Sequence, residues 1–434
     1  MKREPVTRGI RLEGKKEATL LVWTLKRFDP PQKVKIILNQ HAAAFSIPSV
    51  GVGDRVLTGQ KIADPGNAQS VYAHASLSGT VTAVDILEHP ILGRCRTLEI
   101  ESDKKDQRVQ GFGTERKGWE QLTPEELLQL FQESGLVDLT PRMEPLHLKA
   151  ANRVQKLILN ACEPEPYLTC DHAVLMSHPP EILKGMELLR KAMGASSAVI
   201  LVRDDQTEVA ELLKSKIYFL KWKHVEVEKI SSLYPAGSSA MLQRLFQNRS
   251  SLENFEIFNI ATAFAVYEAV VLQKPFIERG VTLAGECFIE PKNVWARMGT
   301  EFETLLKYAK NFLRPPGKVI AGGPMTGIAQ KDLTLPVTAG TQALLALPAE
   351  LTKAEAAEPC IRCGHCIEAC PVEISPVMIA FAAEQDSFEM AADYGVNACI
   401  ECGNCTYVCP SKRPMLELMQ YALSHVPQKN FSQP

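Results

Sequence analysis

Two runs of the chain carry cysteines at one spacing. In "CIRCGHCIEACP" they are Cys360, Cys363, Cys366 and Cys370; in "CIECGNCTYVCP" they are Cys399, Cys402, Cys405 and Cys409. Each cysteine of the second run lies 39 residues after its counterpart, 399 against 360 and 409 against 370. Cys-x2-Cys-x2-Cys-x3-Cys-Pro written twice is the ligand spacing of two [4Fe–4S] clusters, which hold and pass single electrons. Three thiolates two residues apart wrap one face of a cube. Gly364 and Gly403 let the backbone approach it in dihedrals that side chains resist. The fourth cysteine stands too far along to close the same cube and ligates the other one. The expected sets are therefore Cys360, Cys363 and Cys366 with Cys409, and Cys399, Cys402 and Cys405 with Cys370. Zinc is the competing reading, but zinc takes two well-separated Cys-x2-Cys knuckles. Here four thiols crowd together, twice, each set followed by proline.

The elements around the runs read as helices. "SPVMIAFAAE" opens with Ser375 as N-cap and Pro376 at the first helical position. "DSFEMAADYG" reads as a short helix closed by Gly395, and "RPMLELMQYAL" repeats the helical pattern. Arg362, His365, Lys412 and Arg413 flank the runs, either tuning the clusters, docking an acidic partner or standing as solvated charge.

The rest of the chain bounds the class. It has 434 residues, 45% hydrophobic and 23% charged, which is enough for three or four domains with cores. The net charge of −2 implies no general attraction to nucleic acid or anionic lipid. The basic start "MKREPVTRGIRLEGKK" has no apolar core behind it and does not read as a secretory signal. No apolar run is long enough for a bilayer, so any membrane association is expected to run through partners. Cys95, Cys162, Cys170 and Cys287 are scattered and read as buried small hydrophobes, and His147 and His172 as structural histidines. This is the pattern of a reducing compartment, the cytoplasm, with attachment to the cytoplasmic face of a membrane as the peripheral variant.

Val50 to Asp85 alternates short β runs with glycine turns, with hairpin corners expected at Gly53-Asp54 and Gly79-Thr80. The pattern resembles the barrel-sandwich fold of biotinyl and lipoyl carrier domains. The corresponding tip, "DPGNAQS", has no lysine, so a docking or packing module is expected. From Thr123 the pattern changes. "TPEELLQLFQESG" carries a capping box, Thr123 with Glu126, and ends at Gly135. "KLILNA", "SAVILV", "HVEVEKI" and "FEIFNIA" then alternate with helical segments, the last being "TAFAVYEAVVL", which argues a parallel sheet. Ligands bind such sheets at the strands' carboxyl ends, here the loops after Ala161 and Ala261. "AGGPMTG" reads as a tight turn at Gly322-Gly323.

"NACEPEPYLTCDH", "AVYEAVVLQKPFIERGVTLAG", "AGGPMTG" and the doubled cysteine runs, in this order behind a barrel-sandwich domain, resemble the C subunit of the Rnf electron-transport complex and its soluble relatives. The likeness covers nearly the whole chain. It implies a multidomain α/β protein in four parts. These are a barrel-sandwich hybrid (1–112), a Rossmann-like domain similar to the 51 kDa subunit of respiratory complex I (120–274), a small SLBB β-grasp domain (275–350) and a two-cluster ferredoxin-like helical domain (355–425). In that family NADH reduces FMN, and two clusters carry single electrons onward to protein partners.

One stretch departs from the family. Its flavin loop has the form G-x-V-G-x-G-G-A-x-F-P-x-H-x-K, and this chain reads "GLVDLTPRMEPLHLK". Gly135, Pro145, His147 and Lys149 match. Asp138, Thr140, Pro141, Arg142 and Glu144 stand where small residues and an aromatic are expected. Pro141 offers no N–H, and Asp138 and Glu144 bring negative charge toward an anionic cofactor. At about 4 Å and an effective dielectric of about 20, a like-charge pair costs about 4 kcal/mol. The family's Glu-Lys pair after Y-P-x-G is also replaced, by Ser239 and Ala240. Asn160, Glu163, Glu165, Asn259 and Thr262 keep the family's polar positions, either as a vestigial flavin pocket or as packing that holds the strand ends. The expected function is an iron–sulfur subunit passing single electrons between redox partner subunits, with FMN and NADH binding lost. A working NADH:acceptor oxidoreductase with FMN and a structural adaptor are the alternatives.

Overall fold

The computed structural model describes residues 8–20, 24–38, 45–90, 93–139, 143–249, 254–310, 312–353 and 355–426. Thr140, Pro141 and Arg142 of the departing loop lie outside the described residues. Among the described residues no helix is long and apolar enough to cross a membrane.

Near the N-terminus, two antiparallel sheets face each other. One orders the strands Lys33–Ile37, Gly93–Ser102, Gly79–His89 and Arg55–Val56; the other orders Ser46–Pro48, Lys61–Pro65 and Ala73–His74. Val34, Ile36, Ile62, Val81, Leu98 and Ile100 pack between them. Gly79-Thr80 is not a hairpin corner: it opens a strand and pairs with Arg55–Val56. Glycine is required there by proximity, since a Cβ on Gly79 would lie 1.8 Å from the Glu101 carbonyl oxygen. The tip without a lysine rests on the next domain. His147 Nε2 lies 3.0 Å from the Ala68 carbonyl, and Gln132 donates to the Ser70 carbonyl at 3.2 Å.

The middle domain is a four-stranded parallel sheet in the order Val225–Ile230, Ser197–Arg203, Lys156–Asn160, Phe255–Asn259. The Thr123–Glu126 capping box starts the helix Pro124–Glu133 as the spacing predicts. Helices Pro179–Met193 and Ile260–Val270 cross so closely that a Cβ on Gly185 would meet the Ala263 carbonyl at 1.8 Å. The last strand ends at Asn259, and Ala261 is already in the first turn of a helix, not in a loop. Between the strands Ser197–Arg203 and Val225–Ile230 runs the helix Thr207–Leu220.

A six-stranded mixed sheet follows. It orders Lys26–Arg27, Lys292–Arg297, Glu278–Ala284, Ala343–Leu347, Lys318–Ala321 and Ile328–Gln330. Its first strand comes from the N-terminal segment, which also bridges Ile10 to Tyr234. The cysteine module is helical: Pro376–Glu384, Phe388–Asp393 and Met415–His425 pack around Ile379, Ala383, Ala391, Val396 and Met419. Ser375 precedes the first of these without the expected side-chain cap bond; Pro376 alone sets its first turn.

Candidate functional site

The 39-residue repeat is a repeat of backbone geometry. Positive φ recurs at Arg362 and Glu401 (59° and 52°), at Gly364 and Gly403 (82° and 77°), and at Glu373 and Lys412 (61° and 51°). Each first pair turns an amide onto a thiol: Arg362 N–H donates to Cys360 Sγ and Glu401 N–H to Cys399 Sγ, both at 3.4 Å. Each glycine then starts a one-turn helix, His365–Glu368 and Asn404–Tyr407, which presents the third cysteine.

The thiols group across the runs. One pocket is lined by Cys370, Cys399, Cys402 and Cys405 together with Ile374, Leu416 and Met419. The fourth cysteine of the first run thus faces the first three of the second. Burial pushes the Cys399 and Cys402 thiols up to about 11 and Cys405 to about 12, and Cys370 adds to each rise. On the other side, burial raises Cys366, with Cys363 and Cys409 contributing. Holding iron therefore requires these thiols to release protons.

The thiols do not stand in the arrangement of a closed single-ion site. Tetrahedral zinc with bonds of about 2.3 Å would draw its thiolates to about 3.8 Å of one another. No three of the eight thiols lie within 4.8 Å of each other; among the described residues that holds only for Glu163, Cys170 and Asp171. The donor set, four thiols lining one pocket, fits a [4Fe–4S] cluster.

The second set sits against the middle domain. Tyr234 Oη donates to the Cys402 carbonyl at 2.9 Å, and Asn404, 1% exposed, donates to the carbonyls of Ala369 and Tyr234 at 3.1 and 3.4 Å. The first set faces outward, with Cys363 exposed. Tyr234 and Asn404 escaped the sequence reading. Asn404 is buried where the module docks, while its counterpart 39 residues earlier, His365, is exposed. Of the flanking charges, Lys412 pairs with Glu355 and Arg413 with Glu384.

The polar positions at the strand ends are all engaged within the chain. Asn160 donates to the Gly237 carbonyl at 3.0 Å and accepts from Cys162 N–H at 3.0 Å. Glu163 accepts the N–H groups of Asp171 and His172 at 3.0 and 2.9 Å, at the start of the helix Cys170–Ser177. Glu165, its carboxyl raised by burial, accepts from Met325 N–H at 2.8 Å and from the Thr326 hydroxyl. Gly323 of "AGGPMTG" serves this contact, because a Cβ there would collide with Glu165.

Asn259 and Thr262 hold the departing loop itself. Asn259 donates to the Leu139 carbonyl at 2.7 Å, and Leu139 N–H donates to Thr262 Oγ1 at 2.9 Å. Thr262 Oγ1 donates to Asp138 at 3.1 Å, and Lys149 Nζ donates to Asp138 Oδ2 at 2.6 Å. Asp138 N–H closes onto the Glu144 carbonyl at 2.7 Å, while Leu139 and Met143 are buried in the core. Contrary to the repulsion expected from two carboxylates, the described residues of the loop carry no exposed charge pair facing the strand ends. Asp138 does not present a free charge, because Lys149 neutralises it, and the Glu144 residue is exposed.

Comparison with known proteins finds three family models along the chain. A family model for the RnfC barrel-sandwich hybrid domain covers residues 5–105, one for the Nuo51 FMN-binding domain covers 131–268, and one for a 4Fe-4S dicluster domain covers 352–411. Fold and site together define an iron–sulfur electron-transfer subunit. The chain is 34% identical to the C subunit of the proton-translocating ferredoxin:NAD(+) oxidoreductase complex of Clostridium ljungdahlii over 406 residues, 91% of this chain and 88% of that one. It is 31% identical to the C subunit of the Na(+)-translocating complex of Acetobacterium woodii, covering 88% of both chains. It is 32% identical to the ion-translocating complex C subunit of Serratia proteamaculans, covering 84% of this chain and 53% of that one. The chain belongs to the RnfC family.

Proposed function

We propose that this chain relays single electrons between protein partners of a redox complex, and that it neither binds FMN nor oxidises NADH. The observation that carries the reading is the buried Asp138–Lys149 pair with its Thr262 and Asn259 bonds. These groups, at the carboxyl ends of the parallel strands, spend their hydrogen bonds on the loop that would otherwise approach a flavin. A carboxylate 1% exposed cannot abandon its partner without a large desolvation cost. The residues present therefore do not fit the flavin.

Cys360, Cys363, Cys366 and Cys409 would hold one cluster, and Cys399, Cys402, Cys405 and Cys370 the other. When bound, [4Fe–4S] clusters accept and release one electron at a time. The protein's part is to fix the thiols, exclude water from the second set and seat it on Tyr234 through Asn404. Asn160, Glu163, Glu165 and Asn259 act in this reading as packing of the strand ends.

The four-part division, with limits at 1–112, 120–274, 275–350 and 355–425, belongs to the same proposal. The β-grasp (SLBB) assignment of the third part is supported by its strand order. Counting its own strands from Glu278–Ala284, the order is second, first, fifth, third, fourth, with the first and fifth parallel at the centre. Donor and acceptor are other protein subunits, either of a membrane complex like those named for the relatives or of a soluble enzyme. The cytoplasm, with attachment to its membrane face through partners, is the proposed location.

The match to an FMN-binding domain favours the second reading, an active NADH:acceptor oxidoreductase. Anaerobic titration separates the two. Dithionite is expected to bleach the visible cluster absorbance, and NADH is expected to leave it unchanged. Bleaching by NADH would favour the second reading.

A further inference from the structure

The last turn of the helix Thr207–Leu220 runs past the layer it belongs to. Its inner face, Val209, Ala210, Leu213 and Ile217, is buried. The series would continue at Leu220, yet Leu220 is 46% exposed, and Tyr218 and Phe219 are 80% and 76% exposed. No other large hydrophobic residue among those described is as exposed as these two. Four lysines frame them in "KSKIYFLKWK": Lys214, Lys216, Lys221 and Lys223. Only Lys214 has a carboxylate partner among the described residues, Glu211 at 3.5 Å. The neighbouring Glu187 is already committed to Arg190 and His224.

We propose that this patch docks the chain onto an anionic phospholipid surface. Lysines at a helix C-terminus are ordinary, since they answer the helix dipole. Three consecutive exposed apolar side chains beside them are not. Tyrosine and tryptophan suit the headgroup layer, phenylalanine and leucine the acyl boundary beneath it, and unpaired lysines the anionic heads. A protein partner is the weaker occupant, because lysine is depleted in protein interfaces and the feature projects as a helix end. The net charge of −2 gives the whole chain no such attraction, so it is local to this patch. The geometry also sets orientation. The strand Val225–Ile230 starts two residues after Lys223 and runs toward Tyr234, which bonds the Cys402 carbonyl. The patch and the cysteine module thus lie at opposite ends of the parallel sheet, and lipid contact leaves the cluster loops free. The inference stands whether or not a flavin is bound.

The test is co-sedimentation of the full, cluster-loaded chain with phosphatidylcholine vesicles, with and without phosphatidylglycerol. Binding is expected only to the anionic vesicles, and is expected to fall with salt. Lys221→Ala/Lys223→Ala should weaken it about thirtyfold, from about fivefold per lysine. Tyr218→Ser/Phe219→Ser should weaken it as well, with cluster absorbance unchanged in both variants. Three outcomes would overturn the proposal: no binding to anionic vesicles at low salt, binding that both variants retain, or a photo-crosslinker at position 219 that captures only protein while vesicles are ignored.

Discussion

Cys370→Ser is expected to halve the iron content of the purified chain, and the cluster lost is the one held by the other run. The reason is placement: Cys370 lines one cavity with Cys399, Cys402 and Cys405. Double variants make the assignment testable by iron alone. Cys370→Ser/Cys402→Ser should hold as much iron as either single variant, because both residues serve one cluster. Cys370→Ser/Cys363→Ser should hold almost none, because each removes a different cluster. The opposite pattern would mean that each run closes its own cube. Since thiolate–iron binding is also folding energy, the double loss should unfold the helical module around Ile379 and Met419.

Lys149→Met is expected to destabilise the middle domain by about 3–5 kcal/mol, the cost of stranding a buried charge. Asp138 is 1% exposed and Lys149 11%, so water cannot substitute for the missing partner. Lys149 also donates to the Ile257 carbonyl and lies over the Phe258 ring, so the loop and two strand residues loosen together. Asp138→Leu/Lys149→Met removes both charges and should recover most of that loss. Urea unfolding of the two variants measures the difference. Near-equal midpoints for the wild type and Lys149→Met would show that the pair does not lock the loop.

The 4Fe-4S dicluster motif was legible because its chemistry imposes a spacing that nothing else in the chain imitates. Helix starts such as Thr123–Glu126 were legible because a capping box is local. The parallel sheet was legible because strand and helix patterns alternate along the chain, and such alternation implies crossover helices between parallel strands. Gly79 was misread because a glycine needed for close approach looks, in one dimension, like a glycine needed for a turn. In the departing loop the substitutions themselves are plain in the sequence, but Asp138 reads there as a repelling charge. Its partner Lys149 is eleven residues away, and only the fold brings the two together. Tyr234 and Asn404 were missed because docking between domains leaves almost no local pattern. The exposed end of the helix Thr207–Leu220 was invisible for a related reason: its apolar residues continue a helical stripe whose burial depends on how far the sheet extends.

The central claim is that the loop through Asp138 occupies its own strand-end partners and leaves no cradle for a flavin. Flavin and iron per chain, measured on anaerobically purified protein, test it most directly. The account predicts iron for two clusters and no extractable FMN. Stoichiometric FMN beside full iron would contradict it.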